Sequence, residues 1–150
     1  MKFIVLDSTP LGLLFTKATH REGDQCRQWL KRHLAAGIRF IVPEIVDYEL
    51  RRELLRIGNP RPLAQLDTFI AAERDRYIAL TTRAMRLAAE LWAQARRQGI
   101  PTADPHALDV DVILSAQVLA HGYDPADILV ATSNVAHLSQ FVPAEIWRII

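Results

Sequence analysis

The sequence contains a single cysteine, Cys26, and has no long apolar run at its N-terminus. One cysteine cannot form a disulfide within the chain or supply a thiolate zinc site, which excludes a disulfide-stapled scaffold. The apolar stretch that begins at Phe3 stops at Asp7 after four residues. A run of that length is too short for a signal-peptide core or a membrane span. We therefore expect a soluble, cytoplasmic protein with no membrane association.

An excess of charge of either sign is also missing, because 18 Lys and Arg residues nearly balance 17 Asp and Glu residues. The net charge therefore favours neither nucleic acid nor a membrane as the partner. Most of the basic residues are arginine, whose planar guanidinium suits phosphate and carboxylate groups. Half of the 150 residues are hydrophobic and 23% are charged, which predicts a single domain over residues 1–150 with a packed core.

Short apolar runs alternate with helical patterns along the chain. The runs predict strands at 2–8, 39–43, 76–80 and 127–133, and an edge strand at 145–150. Apolar positions at helical spacing predict helices over 24–37, 44–58, 60–73, 81–99 and 108–122. The segments 9–23 and 100–107 are predicted to be loops. This alternation predicts a three-layer α/β/α domain with a central, mostly parallel sheet.

Two aspartates, Asp109 and Asp111, interrupt the mostly apolar segment 108–122. In a predicted first helical turn they are compatible with capping, since the positive end of a helix favours negative charge. Asp111, however, shares a helical face with Ser115 and Val118. An unpaired carboxylate buried there costs on the order of several kcal/mol, so it must be neutralised, hydrogen-bonded or bound to a cation.

Two further carboxylates lie near the predicted carboxyl edge of the sheet. Asp7 ends the first strand, where an Asx-turn is an alternative role. Glu49 lies on the helix after the second strand, beside the buried stripe; it can instead pair with a nearby arginine, and Glu53 is a rival one turn later. Because parallel strands end at one edge, Asp7, Glu49 and Asp111 can converge there. Such oxygen ligands suit Mg²⁺ or Mn²⁺ rather than zinc.

Four segments together resemble the PIN-domain family, and within it the VapC-type endoribonuclease toxins of toxin-antitoxin pairs. They are FIVLDSTPL (3–11), PEIVDYELRREL (43–54), DVDVILSAQVLAHG (109–122) and ILVATSNVAHLSQF (128–141). The resemblance implies a PIN-like fold and metal-dependent hydrolysis of RNA phosphodiester bonds. It selects Asp7, Glu49 and Asp111 as the catalytic acids that hold one or two Mg²⁺ or Mn²⁺ ions, and it favours Glu49 over Glu53.

The last of these segments departs from the family pattern. Where many members carry a fourth acid, this chain has Asn134. We therefore expect either that Asp109 takes that place among the metal ligands or that the site holds its second metal weakly. The expected substrate-binding residues are Ser8, Thr132, Ser133, Asn134 and Arg52. Arg51 is an alternative to Arg52 as a phosphate-binding residue, and His137 is interpreted as a packing or surface residue.

The resemblance also implies partners. VapC-like toxins are held inactive by a small antitoxin protein, and they commonly form homodimers. We therefore expect an RNA substrate, a cognate antitoxin and a second copy of the chain. The apolar helical face within 60–80 is a candidate dimer surface, although packing into the core is the simpler role for it.

Other α/β classes explain the sequence less well. A haloacid-dehalogenase-like phosphatase needs a second aspartate two residues after the first, and Thr9 occupies that position. A receiver-type signalling domain needs a lysine after its last strands, whereas the three lysines all lie within residues 2–31. The remaining alternative is a non-catalytic PIN-like binding module with a degenerate metal site, which Asn134 makes plausible.

Overall fold

A computed structural model describes residues 1–99 and 105–150, with only the backbone described for 105–108. Within these residues, five parallel strands form one sheet in the order β3-β2-β1-β4-β5. The strands are β1 (Phe3–Leu6), β2 (Arg39–Pro43), β3 (Tyr77–Ile78), β4 (Ile128–Thr132) and β5 (Ala144–Ile146). The chain moves outward from β1 in one direction through β2 and β3, and in the other through β4 and β5. The carboxyl end of β1 is therefore a switch point, where open α/β sheets place their ligand sites.

Helices connect the strands and cover the sheet. They are α1 (Ser8–Leu13), α2 (Arg21–Ala35), α3 (Glu44–Ile57), α4 (Pro60–Ala71), α5 (Thr82–Arg97), α6 (Pro105–His121) and α7 (Val135–Leu138). A short 3₁₀ turn, Trp147–Ile149, follows β5. Gly58 ends α3 with a positive φ of 79°, a conformation that glycine adopts without steric cost.

The core lies between the sheet and its helices. Ile4, Val5 and Leu6 of β1 are fully buried, as expected for a central parallel strand covered on both faces. The indole of Trp29 on α2 packs edge-on against the ring of Phe40 at 5.3 Å between centroids. The predicted three-layer α/β/α fold with a parallel sheet is therefore confirmed.

Three local predictions were wrong. The predicted loop after β1 contains α1, because Asp7 caps a helix whose Pro10 lies in the first turn, where proline needs no hydrogen-bond donor. The predicted edge strand is only the three residues of β5 before the 3₁₀ turn. Helix α6 begins at Pro105, a favoured first residue, so Asp109 and Asp111 lie beyond the first turn and do not cap it. Residues 100–104 of the predicted loop lie outside the described residues.

Among the residues that the structure describes, no helix combines the length and the apolar character needed to cross a lipid bilayer.

Candidate functional site

Asp7 is anchored at the junction between β1 and α1. Its Oδ1 accepts a hydrogen bond of 2.7 Å from the backbone N–H of Ser8, and its Oδ2 accepts one of 2.7 Å from the hydroxyl of Thr132. Burial raises the pKa of the Asp7 carboxyl, and the negative charge of Glu49 raises it further, while the two hydrogen bonds oppose the rise. Asp7 therefore caps α1 through the N–H of the next residue, whereas an Asx-turn would use the N–H two residues on. Capping is compatible with the site prediction, because the charge of Glu49 still acts on the same carboxyl.

Asp111 lies on the side of α6 that faces the same edge. Its carboxylate is one-fifth exposed, and its Oδ2 lies 3.1 Å from Nδ1 of His137 on α7. Burial raises the pKa of Asp111 to about 6, and the negative charges of Asp7 and Glu49 contribute to the rise. The hydrogen bond and charge of His137 lower it. Asp7, Glu49 and Asp111 are therefore near enough for their charges to interact.

Glu49 and its rival Glu53 lie one turn apart on α3 but in different surroundings. Glu49 is half-buried and its charge acts on both Asp7 and Asp111. Glu53 is exposed and pairs with Arg56 at 2.5 Å. The structure therefore brings Glu49, and not Glu53, into the acidic group.

The acidic group has the donor chemistry of a site for a hard divalent cation. Burial raises the pKa of both Asp7 and Asp111, and a positive charge between the two carboxylates would favour their ionised forms. Among the described residues, no three His, Cys, Asp or Glu side chains form a complete metal cage. Magnesium does not require one, because it commonly uses one or two carboxylates together with waters and substrate phosphates. Asp7 and Asp111, with Glu49 beside them, fit that kind of site.

Asp109 lies on a different side of α6 from Asp111. It is exposed and lines a groove between α5 and α6 with Trp92 and Val112. Two residues along a helix correspond to a rotation of about 200°, so one ion cannot readily contact both aspartates. This placement does not support Asp109 as a replacement for the fourth acid.

Two of the expected substrate-binding residues, Thr132 and Asn134, already make side-chain hydrogen bonds within the protein. Thr132 is fully buried and its hydroxyl donates a hydrogen bond to Asp7, which favours a role in orienting that acid. Asn134 is exposed but its Oδ1 caps α7 by accepting from the N–H of Ala136 at 3.3 Å. Ser8 is half-buried at the start of α1, and Ser133 is exposed after β4.

The two candidate arginines of α3 also differ. The guanidinium of Arg51 already pairs with Asp47 at 2.9 Å and Asp67 at 2.7 Å. Arg52 is exposed and its guanidinium lies 5.2 Å from the ring centre of Tyr48, which leaves the charge accessible to solvent. Arg52 therefore remains the better candidate for contact with phosphate.

His137 is the residue whose role sequence reasoning missed. The sequence-based interpretation assigned it to packing or the surface, but its imidazole contacts the Asp111 carboxylate. These residues are 26 positions apart, and no local spacing pattern links them. Only the packing of α7 against α6 brings them together.

The backbone is similar to chains of solved VapBC and FitAcB structures. DNA-bound VapBC from Salmonella typhimurium matches with a TM-score of 0.70 and 18% identity, over 98% of this chain and 99% of that chain. FitAcB from Neisseria gonorrhoeae matches with a TM-score of 0.68 and 15% identity, over 98% and 99%. VapBC2 from Rickettsia felis, bound to a DNA fragment from its promoter, matches with a TM-score of 0.67 and 15% identity, over 97% and 98%. The chain has a PIN-like fold.

The resemblance to the PIN fold drawn from four short segments is thereby confirmed over nearly the full length of the chain. No family model matches the sequence, and no curated protein matches it either. At sequence identities of 12–18%, the structural similarity to the solved structures establishes the fold alone. The activity has to be argued from the side chains of the PIN-like site itself.

Proposed function

We propose that this PIN-like protein is a metal-dependent endoribonuclease that hydrolyses RNA phosphodiester bonds, and that it is the toxin of a type II toxin-antitoxin pair. The observation that carries the proposal is the charge interaction of Asp7 with Asp111, with Glu49 beside them, at the switch point of the sheet. We also propose that residues 1–150 form one cytoplasmic domain. This is supported by the single sheet found among the described residues and by the single cysteine of the sequence.

In the proposed reaction, Asp7, Glu49 and Asp111 hold one or two Mg²⁺ or Mn²⁺ ions. When bound, such a cation activates water and stabilises the charge that develops on the scissile phosphate. Thr132 fixes one oxygen of Asp7, so the orientation of that carboxylate is set before substrate arrives. No covalent nucleophile is needed, in keeping with Cys26, whose pKa burial raises to about 12.

RNA is proposed to enter along the exposed rim of this site. Ser133 and Asn134 present polar groups after β4, and Arg52 presents a cation on α3. An open edge suits a single-stranded or looped RNA, whose strand can be splayed against it, better than a rigid duplex.

The test is cleavage of a single-stranded RNA in Mn²⁺ by the purified protein and by conservative variants. Asp7→Asn, Glu49→Gln and Asp111→Asn each remove one negative charge from the site and keep the shape of the side chain. We expect each to lower kcat by a factor of about 100 or more. Glu53→Gln is the matched control on α3, since Glu53 is exposed and paired outside the site, and we expect it to cleave at the wild-type rate.

Contaminating ribonuclease is excluded by purifying the variants in parallel and by adding EDTA, which must stop the reaction. Equal cleavage by the wild type and Asp7→Asn, or cleavage that continues in EDTA, would contradict the proposed metal-dependent endoribonuclease activity.

The antitoxin partner has a candidate docking groove of about 640 Å³ between α2 and α4. The groove is mostly apolar, with Phe15, Leu30 and Phe69 in its lining, and three cations also line it: Arg27, Lys31 and Arg61. This chemistry fits an amphipathic peptide segment that carries acidic residues beside an apolar stripe. We expect Lys31→Glu to weaken binding of the cognate antitoxin about tenfold or more, and Lys17→Glu, outside the lining, to change it little. Equal affinities of these variants would place the partner elsewhere.

The homodimer is proposed to use the groove between α5 and α6. Its exposed apolar side chains include Met85, 43% exposed, and Trp92, 39% exposed. The segment 60–80, the earlier candidate, instead buries Leu66 completely in the core. Light scattering of wild type and Trp92→Glu tests this: we expect a dimer that dissociates in the variant, and a dimer unaffected by the substitution contradicts it.

A second candidate function is a PIN-like module that binds partners without catalysis. It is favoured by Asn134, which stands where many members of the family carry a fourth acid. Calorimetric titration with Mn²⁺ separates the two functions, because a nuclease site must bind the ion through Asp7 and Asp111. Absence of binding to the wild type would favour the non-catalytic module.

A further inference from the structure

We infer that His137 is a positioning residue for Asp111, and that the segment Thr132–His137 holds two acids of the site, Asp7 at its first residue and Asp111 at its last. The inference rests on the proposed function for its catalytic consequence, but the juxtaposition of imidazole and carboxylate is a property of the fold. Asn134 supplies no carboxylate where many members of the family carry a fourth acid. In this segment, hydrogen-bond donors orient the other acids instead.

The first end of the segment fixes Asp7. The hydroxyl of Thr132 accepts a hydrogen bond of 3.0 Å from the N–H of Asn134. Because that contact occupies the acceptor side of the oxygen, the hydroxyl proton is directed toward Oδ2 of Asp7, 2.7 Å away. Thr132 is fully buried, so its side chain has little freedom to turn elsewhere.

The second end fixes Asp111. Asn134 caps α7, and this four-residue helix carries His137 on its last turn. The imidazole and the carboxylate are both largely buried, with 17% and 20% exposure, and Nδ1 lies 3.1 Å from Oδ2. An ionised carboxylate can only accept, so Nδ1 is the nitrogen that carries the proton and donates.

This contact counters a specific tendency of the acidic group. Asp7 and Glu49 carry the same charge as Asp111, so repulsion favours rotation of the Asp111 carboxylate away from them. A donor on one of its oxygens opposes that rotation. The carboxylate keeps further lone pairs, because each oxygen has two, and these remain for a cation. Groups that orient the ligands of a metal in this way commonly change metal affinity by about 10–100-fold.

The test compares two variants that differ in one property. His137→Asn keeps a nitrogen donor near the position of Nδ1, whereas His137→Leu keeps bulk and removes the donor. Crystal structures of both metal-free variants report the orientation of the Asp111 carboxylate. Calorimetry with MnCl₂ reports affinity, and cleavage of single-stranded RNA reports kcat and KM separately. His121→Leu is the control for loss of an exposed histidine at the end of α6.

We expect the Asp111 carboxylate to rotate in His137→Leu and to stay in place in His137→Asn. Mn²⁺ affinity and kcat are expected to fall about 10–100-fold in the leucine variant, with KM nearly unchanged, and to recover most of that loss in the asparagine variant. An unmoved carboxylate in His137→Leu overturns the inference, whether or not the protein cleaves RNA. Equal loss in both folded variants also overturns it. Failure of the wild type to cleave RNA, with a rotated carboxylate in the leucine variant, would overturn the proposed function alone.

Discussion

The hydroxyl of Thr132 donates a hydrogen bond of 2.7 Å to Oδ2 of Asp7, joining residues 125 positions apart in the chain. The pairing of β1 with β4, with Leu6 opposite Ala131, brings the two strand ends side by side. Asp7, which follows the central strand β1, is therefore held in one orientation by Thr132 at the end of the adjacent strand β4.

The first prediction concerns this hydroxyl. Thr132→Val keeps the branched shape and removes the donor, leaving Oδ2 of Asp7 without that partner. We expect Mn²⁺ affinity and RNA cleavage to fall about 10–100-fold, because the carboxylate is no longer held in one orientation. Thr132→Ser keeps the donor and is expected to stay within a few-fold of wild type, roughly. Calorimetry and single-turnover cleavage measure both. A valine variant that matches the serine variant would show that the hydroxyl has no role in the site.

The second prediction concerns the pH dependence of stability in metal-free protein. The pKa of Asp111 is about 6 in the folded state against an ordinary 3.8, so the folded state binds its proton more tightly than the unfolded chain does. Well below pH 3.8 both states are protonated and Asp111 makes no difference to stability. As pH rises from about 4 to 6, Asp111 ionises more readily in the unfolded chain than in the folded protein, which lowers the free energy of unfolding by at most about 3 kcal/mol at neutral pH.

Asp111→Asn removes that ionisation. In EDTA at pH 7.5 we expect the variant to be more stable than wild type by about 1–3 kcal/mol, and the difference to shrink toward zero at pH 4. Urea unfolding at a series of pH values measures it, with Glu53→Gln as a control that shows no such gain. A difference that does not vary with pH, or a variant less stable at pH 7.5, contradicts the electrostatic account of the site.

The third prediction concerns the close approach of α2 to the segment after α1. A Cβ on Gly23 would lie 1.7 Å from Oγ1 of Thr16 and 2.9 Å from the carbonyl oxygen of Leu13. The hydroxyl can rotate but the backbone cannot yield cheaply, so we expect Gly23→Ala to destabilise the protein by about 1–3 kcal/mol.

Gly12→Ala is the matched control, because its Cβ would meet only the end of the Leu50 side chain, at 3.3 Å. Thermal unfolding of the two variants compares them. Equal midpoints would show that helix propensity alone, and not the close approach, governs Gly23.

Much of the fold follows from local patterns in the sequence. The apolar runs at 39–43 and 127–133 became β2 and β4 almost residue for residue, because buried parallel strands require continuous apolar side chains. Helix α1 was missed because Pro10 and Gly12 argue against a helix locally, and the capping contact of Asp7 outweighs them. The first residues of α6 were missed because the helix begins at Pro105, whereas the apolar pattern that predicted it begins only at residue 108.

The candidate site was predictable only in part. Asp7 and Asp111 could be proposed from carboxylates at a strand end and in an apolar helix. The choice of Glu49 over Glu53 came from the family resemblance, and the structure adds their different partners. The roles of Thr132 and His137 depend on side chains that meet through tertiary packing, which periodicity does not encode.

The central claim is that Asp7, Glu49 and Asp111 share a divalent cation. The most direct measurement is anomalous diffraction from crystals soaked in MnCl₂, with Asp7→Asn crystals soaked in parallel. The account predicts an anomalous peak about 2.0–2.6 Å from carboxylate oxygens of Asp7 and Asp111 in the wild type, absent from the variant. A wild-type crystal that binds Mn²⁺ only elsewhere, or a variant that keeps the peak, would contradict it.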